Sequence, residues 1–284
     1  MTVVASLVNM KGGVGKSTVC FNLALYAAQK KNFRVLVIDL DPQSNVSQYL
    51  LGESGYYDYI TKGGGTVGEV FEQFTPPTRG VHAPKPINPD EIILHVKDWK
   101  DGGHLDLIPS RLELAWTLKN PTGKDHLLAQ FLAQLPNKYK YNLILIDCPP
   151  TESILTWAAY RASGKIIVPI KPEFLATVGL PLLARSIQEF QTLHTDQHIE
   201  IAGIVFNDAD SSRTSSEHNK ARNEVNKLAG ENHWRVFENE IRHSGSFPTG
   251  ARSGKAIFST DYARWWVVEE VSKSLEEIIG GLGL

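Results

Sequence analysis

Cysteine is scarce in this chain of 284 residues. There are two, Cys20 and Cys148, far apart and without metal-ligand spacing. That argues against a disulfide framework and a cysteine zinc site, and it fits a reducing cytosol. An excess of either charge is also missing. The 29 Lys and Arg nearly balance 31 Asp and Glu, giving a formal net charge of -2. The chain as a whole is therefore no polybasic nucleic-acid binder, and any contact with DNA needs a local patch. No run of about 18 apolar residues occurs, so no membrane span is expected. The opening "MTVVASLVNM" lacks the basic start and cleavage site of a signal peptide and reads as a first strand. What is present is 42% hydrophobic and 21% charged residues, the balance of a globular protein that can bury one large core.

Five apolar runs read as buried strands: "TVVASLV", "FRVLVIDLD", "YNLILIDCPP", "GKIIVPIKP" and "IEIAGIVFND". Helical spacing appears in "STVCFNLALYAAQKK", "KDHLLAQFLAQLPNK", "SILTWAAYRAS" and "GLPLLARSIQEFQTLH". This alternation predicts a single α/β domain: a doubly wound, mostly parallel sheet with helices on both faces. Ligands in such sheets bind beyond the carboxyl ends of the strands. That singles out Lys11 to Thr18, Asp39, Asp41, Asp147, Lys171 and Asn207. Residues 52–104 break the rhythm with "KGGGT", "TPPTRG" and "APKPINPDE". They read as an irregular Gly/Pro-rich insertion, with "TVGEVFEQF" as one helix. The C-terminal "YARWWVVEEVSKSLEEII" reads as an amphipathic helix, and its "GGLGL" tail is expected to fray.

The stretch "VNMKGGVGKST", residues 8–18, carries the chemistry. Gly15, Lys16 and Ser17 match the second half of the phosphate loop G-x-x-x-x-G-K-[ST], while Met10 stands at its first glycine. Gly12, Gly13 and Gly15 permit backbone turns that aim successive N–H groups at an anion. The helix beginning at Lys16 adds its positive end. Residues 12–18 (Gly12, Gly13, Val14, Gly15, Lys16, Ser17, Thr18) are the candidate phosphate cradle. Lys16 is placed to neutralise β and γ phosphates, and the Ser17 hydroxyl to hold Mg²⁺. A glycine turn with two solvated lysines is the bland alternative; it does not explain the strand before the loop or the clean helix after it.

The same stretch, "KGGVGKST", resembles the deviant loop K-G-G-x-G-K-[ST] of the ParA/MinD group of P-loop ATPases. The resemblance implies ATP and Mg²⁺ as ligands, a homodimer closed around two ATP molecules, and a role for Lys11 on the partner subunit's nucleotide. "VIDLDPQSN" resembles the family's D-x-D-P-Q-x-N segment. By that match Asp41 orients the attacking water, and Asp39 supports Mg²⁺ or Lys16. "LILIDCPP" resembles a Walker B strand, so Asp147 is expected to hold a magnesium water. Asn207, at the end of "GIVFND", is the family's candidate adenine reader, with Asp208 second.

The resemblance covers most of the chain outside residues 52–104, and it implies a split by cargo. MinD-like members end in a basic membrane helix, whereas this chain ends in "EEVSKSLEEIIGGLGL", which anionic lipid would repel. ParA-like members bind DNA without sequence preference. Eight Lys or Arg lie between Arg213 and Lys255 against five Glu, and "IRHSGSFPTGARSGKAIF" looks like the family's C-terminal loop. Arg213, Arg242 and Lys255 are the candidate DNA contacts. A ParB-like activator, a cytoplasmic nucleoid-associated location and no operator-binding domain are further expectations. The rivals are a small-molecule kinase or ligase of the dethiobiotin synthetase type, an iron-protein-like electron carrier, and a positioner of a non-DNA cargo. The two cysteines, one beside Asp147 and one inside the loop helix, are poorly placed for an Fe–S cluster.

Overall fold

Strands that are apolar on every residue need cover on both faces, and the computed structural model has it. The model describes residues 2–72, 87–173, 176–209 and 216–284. Its strands are β1 (Val3–Leu7), β2 (Arg34–Asp39), β3 (Leu94–Asp98), β4 (His104–Ile108), β5 (Leu143–Asp147), β6 (Lys165–Ile170), β7 (Glu200–Ala209) and β8 (Ile241–Arg242). They form one sheet in the order β3-β4-β2-β5-β1-β6-β7-β8. Every neighbouring pair is parallel except β3–β4. The helices are α1 (Lys16–Lys31), α2 (Asn45–Leu51), α3 (Glu53–Thr61), α4 (Gly68–Glu72), α5 (Pro89–Ile92), α6 (Leu127–Ala133), α7 (Ile154–Ala162), α8 (Ala176–Leu193), α9 (Ser216–Glu231), α10 (Ser246–Arg252) and α11 (Trp265–Gly281).

The period of two along each strand divides the core into two layers. Val35 and Val37 of β2, with Leu143 and Leu145 of β5, face α1 and α11. Leu36 and Ile38, with Ile144 and Ile146, face the opposite layer, which holds residues of α4, α6, α7, α8 and α9. The chain winds from β1 outward to β2 on one side and later to β6 and β7 on the other. β1 therefore sits at the switch point between β5 and β6. Its carboxyl end opens into the crevice where ligands bind in this architecture.

The doubly wound sheet predicted from the alternation is present, with three strands that the apolar runs did not reveal. Residues 52–104, read as an irregular Gly/Pro-rich excursion with short elements, carry several of them. They contain α3, α4, α5 and β3, and β4 begins at their end and pairs in parallel with β2. β4 escaped notice because His104 and Asp106 interrupt its apolar residues. The expected helix over "TVGEVFEQF" is observed as Gly68–Glu72, and Gln73 and Phe74 lie outside the described residues. β8 is two residues long, too short for any pattern.

The tail is the second difference. α11 runs through Gly281, and Leu282 is 1% exposed within the α1/α11 core layer. A buried leucine ties down the segment that composition marks as loose. Replacing Leu282 with Ala should cost about 2–5 kcal/mol of stability. Urea unfolding would measure this; a frayed tail would give a change near zero.

Candidate functional site

The loop after β1 sits where β1, β2 and β5 end together. Leu7 of β1 is in register with Asp147 of β5, and Asp147 with Asp39 of β2. Gly15 caps α1 in a left-handed conformation, φ 89°. A Cβ at that position would lie 2.0 Å from Asn207 Nδ2, so both backbone and space require glycine. The contact exists because Asn207 Nδ2 donates to the Val14 carbonyl at 2.8 Å, latching the end of β7 to the loop.

The two lysines of the loop point to different partners. Lys16 is 6% exposed, and its Nζ donates to the carbonyls of Asn9 and Lys11 at 3.0 and 3.2 Å. Burial lowers its pKa, while Asp147, Cys148 and Asp41 pull it back up. Lys11 Nζ instead reaches Glu173 Oε2 at 2.9 Å, on the chain leaving β6. Asn9 shapes the loop from beneath. Its Oδ1 accepts from Lys11 N, and its Nδ2 donates to the Pro169 carbonyl.

Three carboxylates face this loop in three different states. Asp147 is fully buried, and neither of its oxygens has a hydrogen-bond partner. Burial, and then the neighbouring Asp39, raise its pKa well above the carboxylate range; Ser17 and Lys16 offset this in part. Asp39 is also fully buried, but its oxygens are engaged. Oδ2 accepts from Ser47 N and from Ser47 Oγ at 2.6 Å, and Oδ1 accepts from Asp41 N. Burial still pushes Asp39 up to about 7. Its hydrogen bonds tie Asp39 to the turn that carries Asp41 and to Ser47. Asp41 lines the crevice with Lys16, Ser17, Gln43 and Tyr49, and its Oδ1 accepts from Gln43 N. Ser47 went unseen in the sequence because a serine in the first turn of a helix carries no distinctive signal.

On the other side of the loop, Asn207, Asp208, Arg242, His243, Phe247 and Pro248 line a second crevice with Gly13, Gly15 and Thr18. A charge chain runs along this rim. Lys11 pairs with Glu173, and Glu173 with Lys171 at 3.4 Å. Lys171 pairs with Asp208 at 2.6 Å, and Asp208 with His243. Arg242 is drawn to Glu270 at 3.1 Å and faces this crevice rather than standing free on the outer surface. Lys255 is exposed, as is Arg252. Arg213 lies outside the described residues.

A nucleotide-sized crevice split by a glycine loop, at the switch point of a parallel sheet, defines a P-loop NTPase. The comparisons narrow the class. A family model described as an AAA domain (AAA_31) matches residues 1–201. The chromosome-partitioning ATPase Soj of Treponema pallidum is 31% identical over 204 residues, covering 70% of this chain and 68% of that protein. The apo McdA structure from Cyanothece superposes with a TM-score of 0.77 at 19% identity, covering 99% of this chain and 100% of that one. A putative plasmid partition protein from Borrelia burgdorferi B31, bound to AMPPNP, gives 0.72 at 23% identity, covering 99% and 98%. The chain belongs to the ParA/Soj-type family of partition ATPases.

The unpartnered Asp147 carboxylate yields a direct test. A carboxyl whose folded pKa is raised costs stability as pH climbs past its unfolded value. Asp147→Asn should therefore stabilise the nucleotide-free chain at pH 8, and the gain should vanish below about pH 4, where both states are protonated. Thermal unfolding across that pH range would check the direction. A destabilised variant at pH 8 would mean the carboxylate has a partner.

Proposed function

We infer that the chain is an ATP-driven switch of the partition type, acting in the cytoplasm. It binds ATP with Mg²⁺, closes as a homodimer and grips DNA without sequence preference. A ParB-like partner then triggers hydrolysis and release. The observation that carries this reading is the divergence of the two loop lysines. Lys16 is turned inward beneath its own phosphate cradle, and Lys11 is turned outward onto Glu173. The Lys11–Glu173 pair is partly exposed, and such pairs are worth about 0–1 kcal/mol. Phosphate charge on a facing subunit can outbid Glu173 for Lys11 at small cost.

The residues present fit a divalent cation. A buried carboxylate without a hydrogen bond, close to a serine hydroxyl, suits an ion held partly through its waters. Ser17 and Asp147 would hold it, and its charge would be supplied to the β and γ phosphates. Lys16 and the loop N–H groups of residues 12–18 bind and orient the phosphates. Asp41 holds the attacking water, and Ser47 through Asp39 keeps Asp41 in place. Asn207, Phe247 and Pro248 offer an edge and an apolar face for the base.

None of the described helices is long and apolar enough to cross a bilayer. The apolar side of α11, with Val267, Val271, Leu275, Ile278 and Ile279, is already buried on the sheet. For DNA the candidate surface shifts. Arg242 serves the nucleotide crevice, and the exposed Arg252 joins Lys255 as the better phosphate contact.

Asp41→Ala protein should bind ATP without hydrolysing it, and it should elute as a dimer with Mg-ATP but not with ADP. With ATP alone it should co-elute with random-sequence duplex and lose it at high salt. A monomer with both nucleotides would sink the sandwich reading and favour the small-molecule kinase. A dimer that ignores DNA would move the function to another cargo. Lys11→Ala should keep monomeric ATP binding but lose partner-stimulated turnover; normal stimulation would reject the role given to Lys11. Replacing Arg252 or Lys255 with Ala should weaken DNA binding equally on all sequences and reduce the salt slope by about 1.

A further inference from the structure

Far from the nucleotide crevice, at the β3 edge of the sheet, two histidines and two aspartates form a closed ring. We propose that His95, Asp98 and His104 form a site for a transition-metal dication of the Zn²⁺ class, with Asp106 as the residue that orients both imidazoles.

The backbone builds this arrangement. Residues 104 and 106 share a face of β4 by the period of two. Residues 95 and 98 of a regular strand would point to opposite faces. The register of β3 shifts between His95 and Lys97, so that His95 stands across from Asp106 and Asp98 across from His104. The irregularity turns all four side chains toward one another. The rings of His95 and His104 stack with centroids 4.9 Å apart.

The contacts separate into two sets. His95 Nε2 and His104 Nδ1 both face Asp98, at 3.3 and 2.6 Å. The opposite nitrogens, His95 Nδ1 and His104 Nε2, both face Asp106, at 3.1 and 2.8 Å. One ligand atom each from His95, Asp98 and His104 lies within 4.8 Å of the others. Asp106 is 4% exposed and also accepts from the Tyr141 hydroxyl at 2.7 Å, so it is anchored from below. A carboxylate that fixes the far nitrogen of each ligating histidine is the usual support of a zinc site. Two imidazoles and a carboxylate are a common donor set for Zn²⁺, with a fourth position left to water.

Charge balance points the same way. Asp98 and Asp106 bring two negative charges, more than the single guanidinium of Arg34 beside Asp98 offsets. A cation held by His95 Nε2, His104 Nδ1 and Asp98 would leave the opposite ring nitrogens, His95 Nδ1 and His104 Nε2, to face Asp106. Such an ion would staple the edge strand β3 to β4.

The test is calorimetric titration of the untagged full chain with Zn²⁺, with Co²⁺ absorption as a second readout of ligand geometry. The expected result is one Zn²⁺ per chain, lost in His95→Ala and His104→Ala and weakened in Asp98→Asn. Tyr141→Phe, which loosens only Asp106, should weaken binding severalfold while circular dichroism stays that of the native chain. No saturable binding by the native chain, or binding unchanged in the His95 and His104 variants, would overturn the proposal.

Discussion

The structure is organised around a carboxyl group it leaves unsolvated. Asp147 ends a strand whose every residue is buried, next to Asp39 on the neighbouring strand and close to the ammonium of Lys16. Leaving a buried carboxylate without a hydrogen bond is costly. A fold tolerates it where a ligand repays the cost, and here three strand ends, a glycine loop and a helix N-terminus surround that carboxylate. The surrounding residues are satisfied within the protein. Asp39 holds Ser47, Ser47 Oγ accepts from Ser110 N, and Asn207 holds the loop carbonyl.

That arrangement explains how much of the molecule could be read in advance. Fully apolar strands are legible because burial on both faces leaves no room for polar residues, and β1, β2, β5, β6 and β7 stood out for that reason. The glycine loop was legible because its geometry admits few residues, Gly15 least of all. Edge elements were not. β3 and β4 carry His95, Asp98, His104 and Asp106, whose polarity hides the strand pattern while serving one another across the pair. Leu282 was hidden in the opposite way: its glycine neighbours suggest disorder, and only the core layer it enters reveals that it is fixed.

The site residues divide along the same line. Lys16 and Ser17, read from a local motif, line the crevice beside the loop. Residues whose work depends on a distant partner could not be placed from sequence. Asp39 reads as support for Mg²⁺ or Lys16, and only the fold shows Ser47 on its carboxylate. Arg242 reads as a surface cation until its pairing with Glu270 and its place in the crevice with Asn207 are seen. Glu173 has no motif at all, and it matters because it occupies Lys11 in the nucleotide-free chain.

The local excess of positive charge gains meaning from the same pairing argument. Counted along the sequence, the cations between Arg213 and Lys255 form one basic region. In the structure Arg222 is bound to Glu240, Arg235 to Glu277 and Arg242 to Glu270. These guanidiniums already have carboxylate partners, so a phosphate would have to displace one to bind. Lys220, Lys227, Arg252 and Lys255 are exposed, and among the described residues no carboxylate pairs with them. Counterion release on DNA scales with the phosphates neutralised. The usable charge is therefore this unpaired set rather than the sequence total, and it lies on α9 and at the end of α10. If the chain grips DNA as proposed, these unpaired cations are the ones free to meet phosphates without displacing a carboxylate.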